Sequence, residues 1–193
     1  QHCAGDDGLL FWCAVAATKV VEDNDAACDA FVDAGGLAAA AALLSPGAGS
    51  LPKDKAAIYQ LVNCVSNGSR DARRALFGKE GSSILEMAGT MVTESTVPSQ
   101  EAFNLGLGRP HAPLVSASID LITSLACDVG LRARIRATGV AQSLSKIALG
   151  HGSCVSESNM ASAAVGAAVM VGASWPPWAG ASVRKCIIET VVE

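Results

Sequence analysis

The sequence repeats one pattern three times, and this repetition constrains the fold more than any other feature. Each copy is a short helical segment, a glycine and an apolar helical segment, and the glycines are Gly35, Gly81 and Gly139. A large apolar residue lies four positions before each glycine, where it can anchor the short helix on a core while the glycine allows the turn. These anchors are Phe31, Phe77 and Ile135. Self-similarity of this kind predicts stacked helical units.

The spacing of the glycines fits a repeated unit of three helices. The first two are 46 residues apart (81 − 35) and the last two are 58 apart (139 − 81), whereas such units run about 40–47 residues. The second interval therefore predicts an insertion of roughly a dozen residues. Residues 93–113 are its expected place, because they contain the loop-forming residues Pro98, Gly106, Gly108, Pro110 and Pro113.

A longer apolar helix is predicted before each short one. These helices are expected at 8–21, 54–66 and 114–128, with a fourth at 156–173 and a final helix at 181–192. In the second, apolar residues recur at helical spacing and define a core face: Ala57, Ile58, Leu61, Val62 and Val65. We therefore expect an all-α fold and one helical repeat domain over residues 1–193. Its units are expected at 8–46, 47–95 and 111–150, with a partial unit at 156–193.

These units resemble the armadillo repeat family. The best match runs from Asp54 to Leu85, where DKAAIYQLVNCVSNGSRDARRALFGKEGSSIL follows the family's order of third helix, first helix, glycine turn and second helix. Weaker matches cover Cys28 to Leu44 and Ser118 to Leu144. The resemblance implies a right-handed α-solenoid of about three armadillo-type repeats with partial units at both ends.

The resemblance also implies where a partner would bind. In peptide-binding armadillo proteins the third helices carry a tryptophan and, four residues later, an asparagine, and both line a concave groove. The matching positions here are Tyr59 and Asn63 in one unit, and Asp120 and Ser124 in the next. The tryptophan ladder of the family is therefore not present, so acidic pockets of the nuclear-import type are not expected.

Trp12 is the remaining candidate for the groove. It lies in the first long helix with Ala16 four residues on, and it could face the groove. The favoured interpretation is core packing or an end-cap contact, because a single tryptophan in an apolar helix is usually buried.

The charge pattern argues against nucleic acid as a partner. The formal net charge is −4, and two arginine clusters are interpreted as solvated helix faces. These are Arg70, Arg73 and Arg74, and Arg132, Arg134 and Arg136. No membrane span is predicted either, because the most apolar stretch, 160–173, is shorter than the about 20 residues that a bilayer requires.

The cysteines predict an intracellular, reducing compartment, cytoplasmic or organellar. Seven cysteines occur, an odd number with no CxxC pair, and most lie in apolar helical patterns. This favours reduced thiols that pack as small apolar side chains. The first residue is Gln1, which predicts a processed or truncated start.

No catalytic site, cofactor, metal site or small-molecule substrate is predicted. His2 with Cys3 and His151 with Cys154 have no second pair at ligand spacing. Phe77 to Glu80 resembles half of a phosphate loop, but the leading glycine is missing. We expect a non-catalytic module that binds a protein partner through its groove or ends. The alternatives are a structural subunit of a large assembly, organellar in one version, and a small enzyme.

Overall fold

Alanine-rich segments without alternating β-branched residues favour helices, and the computed structural model of the chain is built from them. The structure describes residues 8–76, 78–97, 111–149 and 158–172. These residues form α-helices and contain no strand, which confirms the all-α fold. The helices are α1 (Leu9–Val21), α2 (Asp25–Asp33), α3 (Gly36–Leu44), α4 (Pro52–Gly68), α5 (Arg70–Ala75), α6 (Lys79–Glu94), α7 (Ala112–Ala126), α8 (Val129–Ala137), α9 (Val140–Ala148) and α10 (Ser158–Val171).

The chain divides into two compact units, Gln1–Met87 and Ala88–Glu193, with the boundary inside α6. In the first unit, α4 lies at the centre and contacts α1, α2, α3 and α5. One cluster of its core contains Val21, Cys28, Leu61, Val65 and Ala72. The core face predicted for this helix is confirmed, since Ala57, Ile58, Leu61, Val62 and Val65 are all buried.

The second unit has α10 at its centre, in contact with α7, α8 and α9. Its core is built from larger aliphatic side chains that are fully or almost fully buried: Ile119, Leu121, Ile122, Ile135 and Leu144. The predicted fourth long helix is therefore present as α10, over Ser158–Val171.

Helices recur in the two units with one constant offset. α2 and α8 have nine residues each and begin 104 residues apart (129 − 25), and α3 and α9 have nine residues each and share that offset (140 − 36). Gly35 and Gly139 precede α3 and α9, both with φ of 77°, a conformation that favours glycine. The predicted order of short helix, glycine and apolar helix is confirmed at these two glycines.

The short helices α2, α5 and α8 also begin in the same way. Their N-cap side chains, those of Asn24, Ser69 and Asp128, accept hydrogen bonds from backbone N–H groups of the first turn. Four residues after each N-cap, a side chain donates to a carbonyl near the end of the preceding long helix. The donors and acceptors are Cys28 Sγ to Val21 O, Arg73 Nε to Ser66 O, and Arg132 Nε to Ala126 O. This contact fixes each short helix on the helix before it.

Arg73 and Arg132 were expected on solvated faces, and the structure corrects this. Each is half-buried, and its guanidinium lies 2.9 or 2.7 Å from the carbonyl that it caps. Arg70, Arg74 and Arg134 are exposed as expected, whereas Arg136, although exposed, donates from its Nε to the carbonyl of Val171, the last residue of α10, at 2.6 Å. Arginine therefore serves helix termination at Arg73, Arg132 and Arg136.

The turn predicted at Gly81 is wrong. α6 begins at Lys79, so Gly81 lies within its first turn and the break after α5 falls at Gly78. The interval from Gly35 is then 43 residues (78 − 35), which still fits a unit of about 40–47. The sequence offers Gly78 and Gly81 within one helical turn, and periodicity alone does not choose between them.

Some predicted segments lie outside the described residues. The insertion proposed at 93–113 is flanked by α6, which extends to Glu94, and by α7, which starts at Ala112. Its centre, 98–110, and the final helix expected at 181–192 are not among the described residues. The single repeat domain over 1–193 stays a prediction.

Candidate docking surface on the first unit

Helix α1 is apolar over most of its surface, which is unusual for a helix with an exposed face. Its sequence LLFWCAVAATKVV contains one charged residue, Lys19. Ala14 and Val21 are buried, and α1 packs against α4. Because α4 covers one side only, the other apolar side remains accessible.

The accessible side forms a continuous row, which we call the α1 stripe: Leu9, Trp12, Ala16 and Val20. Leu9, Trp12 and Val20 are 60%, 65% and 64% exposed, and the spacing of the four residues places them on one side of the helix. The row spans about 16 Å along the helix axis. Isolated exposed apolar side chains are ordinary, whereas a row of this kind is typical of interaction surfaces.

Trp12 is not a core residue, so the core-packing interpretation is wrong, whereas the end-cap contact and the position in a groove stay predictions. Its ring is mostly exposed and meets Phe11 edge to face, with ring centroids 5.2 Å apart. Nothing in a mostly apolar helix specifies which side meets the rest of the unit. On the side that does so, the small residues Ala14 and Ala17 are buried and half-buried.

An apolar groove lies beside the α1 stripe, between α1, α3 and α4. We call it the α1–α3 groove; it encloses about 180 Å³, and its accessible surface is almost entirely apolar. Its walls include Leu10 and Ala14 from α1, Phe31 from α2, Ala39 and Leu43 from α3, and Ile58 from α4. A cleft of this chemistry accepts apolar side chains and offers almost nothing to a polar ligand.

A second depression follows the carboxyl-terminal end of α1 and has the opposite character. This acidic recess, of about 370 Å³, is lined by Glu22, Asp23, Asp25, Cys64, Asn67 and Gly68. Lys19 donates to Glu22 across 2.6 Å, on the exposed surface. Burial raises the pKa of the Cys64 thiol, the carboxylates of Glu22 and Asp23 raise it further, and Lys19 opposes them. The thiol is therefore held in its neutral form.

Helix capping accounts for only part of the acidic run at 22–25. The N-cap of α2 is Asn24, whose Oδ1 accepts from the Ala27 N–H at 3.1 Å, and Asp25 lies in the first turn. The side chains of Glu22 and Asp23 line the recess instead.

The predicted partner-binding pair Tyr59 and Asn63 lies on α4. Tyr59 is only 2% exposed, so contact between its ring and a partner stays a prediction that requires the ring to become accessible. Asn63 is half-buried, and its Oδ1 accepts from Asn67 Nδ2 at 3.4 Å. This pair belongs to the same helix that supplies Ile58 to the α1–α3 groove.

Asp120 and Ser124 lie one turn apart on α7, in the second unit. Asp120 is on the exposed side of the helix, and partial burial raises the pKa of its carboxyl group above the ordinary value. Ser124 is half-buried. Trp12, Tyr59 and Asn63 belong to the first unit, and Asp120 and Ser124 belong to the second.

Sequence reasoning did not identify the α1–α3 groove or the acidic recess. The only signal for the groove was the composition of α3, GLAAAAALL, which contains no polar side chain. A helix so apolar implies cover on several sides, but composition does not say which side is left open.

Within the described ranges, no group of three or more His, Cys, Asp and Glu side chains could hold a metal ion. His111 is placed just before α7, whereas His2 and His151 lie outside the described residues.

Among the described helices, no single one is long and apolar enough to cross a membrane, and one bent pair, α2 with α3, passes the same test by length and composition only.

Comparisons of the chain with protein-family models, with curated proteins and with solved structures found no match.

Proposed function

We propose that this chain is a non-catalytic protein-interaction module of the armadillo type, built as a right-handed α-solenoid, which binds a protein partner through its first unit. The carrying observation is the α1 stripe, since Leu9, Trp12 and Val20 leave most of their surface in water on one side of one helix. Burying such a side chain contributes about 1.5–3 kcal/mol. A partner that covers the row would therefore gain substantial affinity.

The armadillo-type architecture is supported by the recurrence of the helices. α8 and α9 have the same lengths as α2 and α3 and follow them at one constant offset. In addition, α2, α5 and α8 each have a capping side chain at the N-cap and a side chain that donates to a carbonyl of the preceding long helix. Each such unit leaves apolar surface that a neighbouring unit can cover, which is the basis of solenoid stability.

A reducing, intracellular setting is part of the proposal. Cys13, Cys28, Cys64 and Cys127 are all free thiols, and Cys13 and Cys127 are exposed. Exposed free thiols suit a compartment in which they stay reduced.

Site-specific photocrosslinking tests the proposal. A benzophenone amino acid replaces Ala16, in the middle of the α1 stripe, and in a matched protein it replaces Ala26, an exposed alanine of α2. We expect the probe at position 16, in cells that express the full chain, to crosslink a discrete protein that the probe at position 26 does not. The Trp12→Ser/Val20→Ser substitutions should abolish that product, because they remove apolar side chains of the α1 stripe. Both residues are exposed, so the fold tolerates the change.

Circular dichroism of each protein confirms that the helices are intact. Identical products from both probe positions, or a product that persists in the Trp12→Ser/Val20→Ser background, would contradict binding through the α1 stripe.

A further inference from the structure

Helices α3 and α9 are equivalent in the two units. Another helix covers one side of α9, and the same side of α3 is open. The part of α6 within the second unit, from Ala88 onwards, contacts α9 at two positions. A methyl group at Gly89 would be 3.9 Å from Cβ of Val140, and Ser143 Oγ donates to Thr93 Oγ1 at 3.2 Å. Gly89 and Thr93 are four residues apart, so one side of α6 makes both contacts.

The equivalent positions of α3 are open. With the offset of 104 residues, Val140 and Ser143 correspond to Gly36 and Ala39. Val140 and Ser143 are 0% and 5% exposed, whereas Gly36 is half-buried and Ala39 is exposed. Gly36 and Ala39 both line the α1–α3 groove. The groove therefore lies at the place that α6 occupies on α9.

The direction of an occupying helix follows from the same comparison. Gly89 contacts Val140 and Thr93 contacts Ser143, so α6 runs in the same direction as α9. A helix placed likewise on α3 would have its amino-terminal end near Gly36. Gly36 lies against Phe31, which packs in the same cluster as Val21 at the end of α1. The amino-terminal end of the occupant would therefore lie toward the acidic recess.

The charge around this end is one-sided. The lining of the acidic recess contains three carboxylates, those of Glu22, Asp23 and Asp25, and no basic residue. Lys19 is already paired with Glu22. The partial positive charge of a helix amino terminus and basic side chains in its first turn would both be attracted to these carboxylates.

Building on the proposed function, we infer that the α1–α3 groove binds an amphipathic helix of the protein partner. Its apolar face, with alanine or glycine where it meets Gly36 and Ala39, fills the groove and extends over the α1 stripe. Lysine or arginine in its first turn lies over the acidic recess. This is helix-in-groove recognition, in which residues at i, i+3, i+4 and i+7 anchor the helix.

A synthetic helix provides the probe. The peptide has 15 residues, is held helical by a hydrocarbon staple on its polar face, carries Leu and Ala at i, i+3, i+4 and i+7, and has two lysines in its first turn. Two control peptides have the lysines replaced by glutamates, or the same residues in scrambled order. Fluorescence anisotropy of the labelled peptides measures their Kd for the full chain.

Two protein variants form a matched pair. Ala39→Lys places a charged side chain in the groove, and Ala42→Lys makes the same change at an exposed position of α3 that does not line it. We expect Ala39→Lys to raise Kd at least about tenfold and Ala42→Lys to leave it within about twofold. Replacing the lysines by glutamates should weaken binding about tenfold at low salt, and the difference should shrink as salt is added.

Equal binding by the scrambled peptide, or equal Kd for the two lysine variants, would overturn the inference. Tighter binding by the glutamate peptide would overturn it as well. If the chain self-associates in sedimentation velocity and Ala39→Lys alone abolishes this, the groove belongs to a second copy and the partner helix is wrong.

The crosslink at position 16 separates this inference from the proposed function. If that crosslink persists in Ala39→Lys while the peptide fails to bind the unmodified chain, the module binds through the α1 stripe and the helix in the groove is excluded. If the peptide does not bind and the crosslink at position 16 is missing from the unmodified chain, both proposals fail.

Discussion

Gly68 lies directly against Cys28, so that any side chain at position 68 would overlap the Cys28 sulfur. Gly68 is the last residue of α4, and Cys28 is fully buried in α2, where its Sγ donates to the carbonyl of Val21 at 3.4 Å. The end of the central helix therefore approaches α2 as closely as a glycine permits, and this contact fixes the position of α2 between α1 and α4.

Gly68→Ala should destabilise the chain by about 1–3 kcal/mol, because the new methyl group forces Cys28 or the helix end to move. Urea denaturation followed by circular dichroism measures the change. Gly166→Ala is the matched control, since nothing lies within 4 Å of a methyl group there and the substitution should stabilise α10 by about 0.5–1 kcal/mol.

The double variant Gly68→Ala/Cys28→Ala identifies the cause. Removing the sulfur relieves the overlap, so the double variant should be more stable than the sum of the two single changes predicts. Simple additivity would show that the loss arises elsewhere.

Arg132→Ala should cost about 1–2 kcal/mol, because the guanidinium Nε lies 2.7 Å from the carbonyl of Ala126, the last residue of α7. Arg74→Ala is the comparison: its ion pair with Asp71 is exposed on both sides, and such pairs contribute about 0–1 kcal/mol. Thermal melts of both variants give the difference. An Arg132→Ala protein as stable as Arg74→Ala would contradict a capping role for Arg132.

Sequence reasoning recovered the helices that are defined by strong periodicity and by turn chemistry. The α2–Gly35–α3 and α8–Gly139–α9 segments were predicted because a left-handed glycine between two helices leaves a clear signal. The second turn was misplaced because Gly78 and Gly81 are three residues apart, and the apolar spacing of Phe77 favoured the wrong one. Local pattern thus located the turns but not always their exact residue.

The candidate surface was less predictable. The sequence favours a core position for Trp12 because its helix is mostly apolar, yet only the side with Ala14 and Val21 is covered. The armadillo resemblance places Tyr59 and Asn63 in a groove, yet their helix lies at the centre of the unit and the ring of Tyr59 is buried. Exposure depends on how helices pack against each other, which a single helical period does not encode.

The described cysteines should differ strongly in reactivity. Cys13 and Cys127 are exposed, whereas Cys28 is fully buried and its pKa is raised, mainly by burial and further by Asp25 and Asp29. Because the thiolate is the reacting species, iodoacetamide at neutral pH should modify Cys13 and Cys127 well before Cys28. Peptide mass spectrometry resolves each site. Modification of Cys28 at the same rate as Cys13 in the folded chain would contradict its burial, and equal rates in urea provide the control.

Asp120 should make the second unit less stable as pH rises. Burial raises the pKa of its carboxyl group in the folded chain above the value of about 3.9 in the unfolded chain. The folded state therefore binds the proton more tightly, and the resulting stability is complete below the unfolded pKa and is lost as pH rises through the folded pKa. Asp120→Asn, which has no charge to bury, should be more stable than the unmodified chain at pH 7. The advantage should decrease as pH falls through the window between the two pKa values and disappear at its acid end. Urea denaturation from pH 3 to pH 7 measures both curves, and an advantage that is constant over this range would show that the substitution acts through packing instead of through the charge.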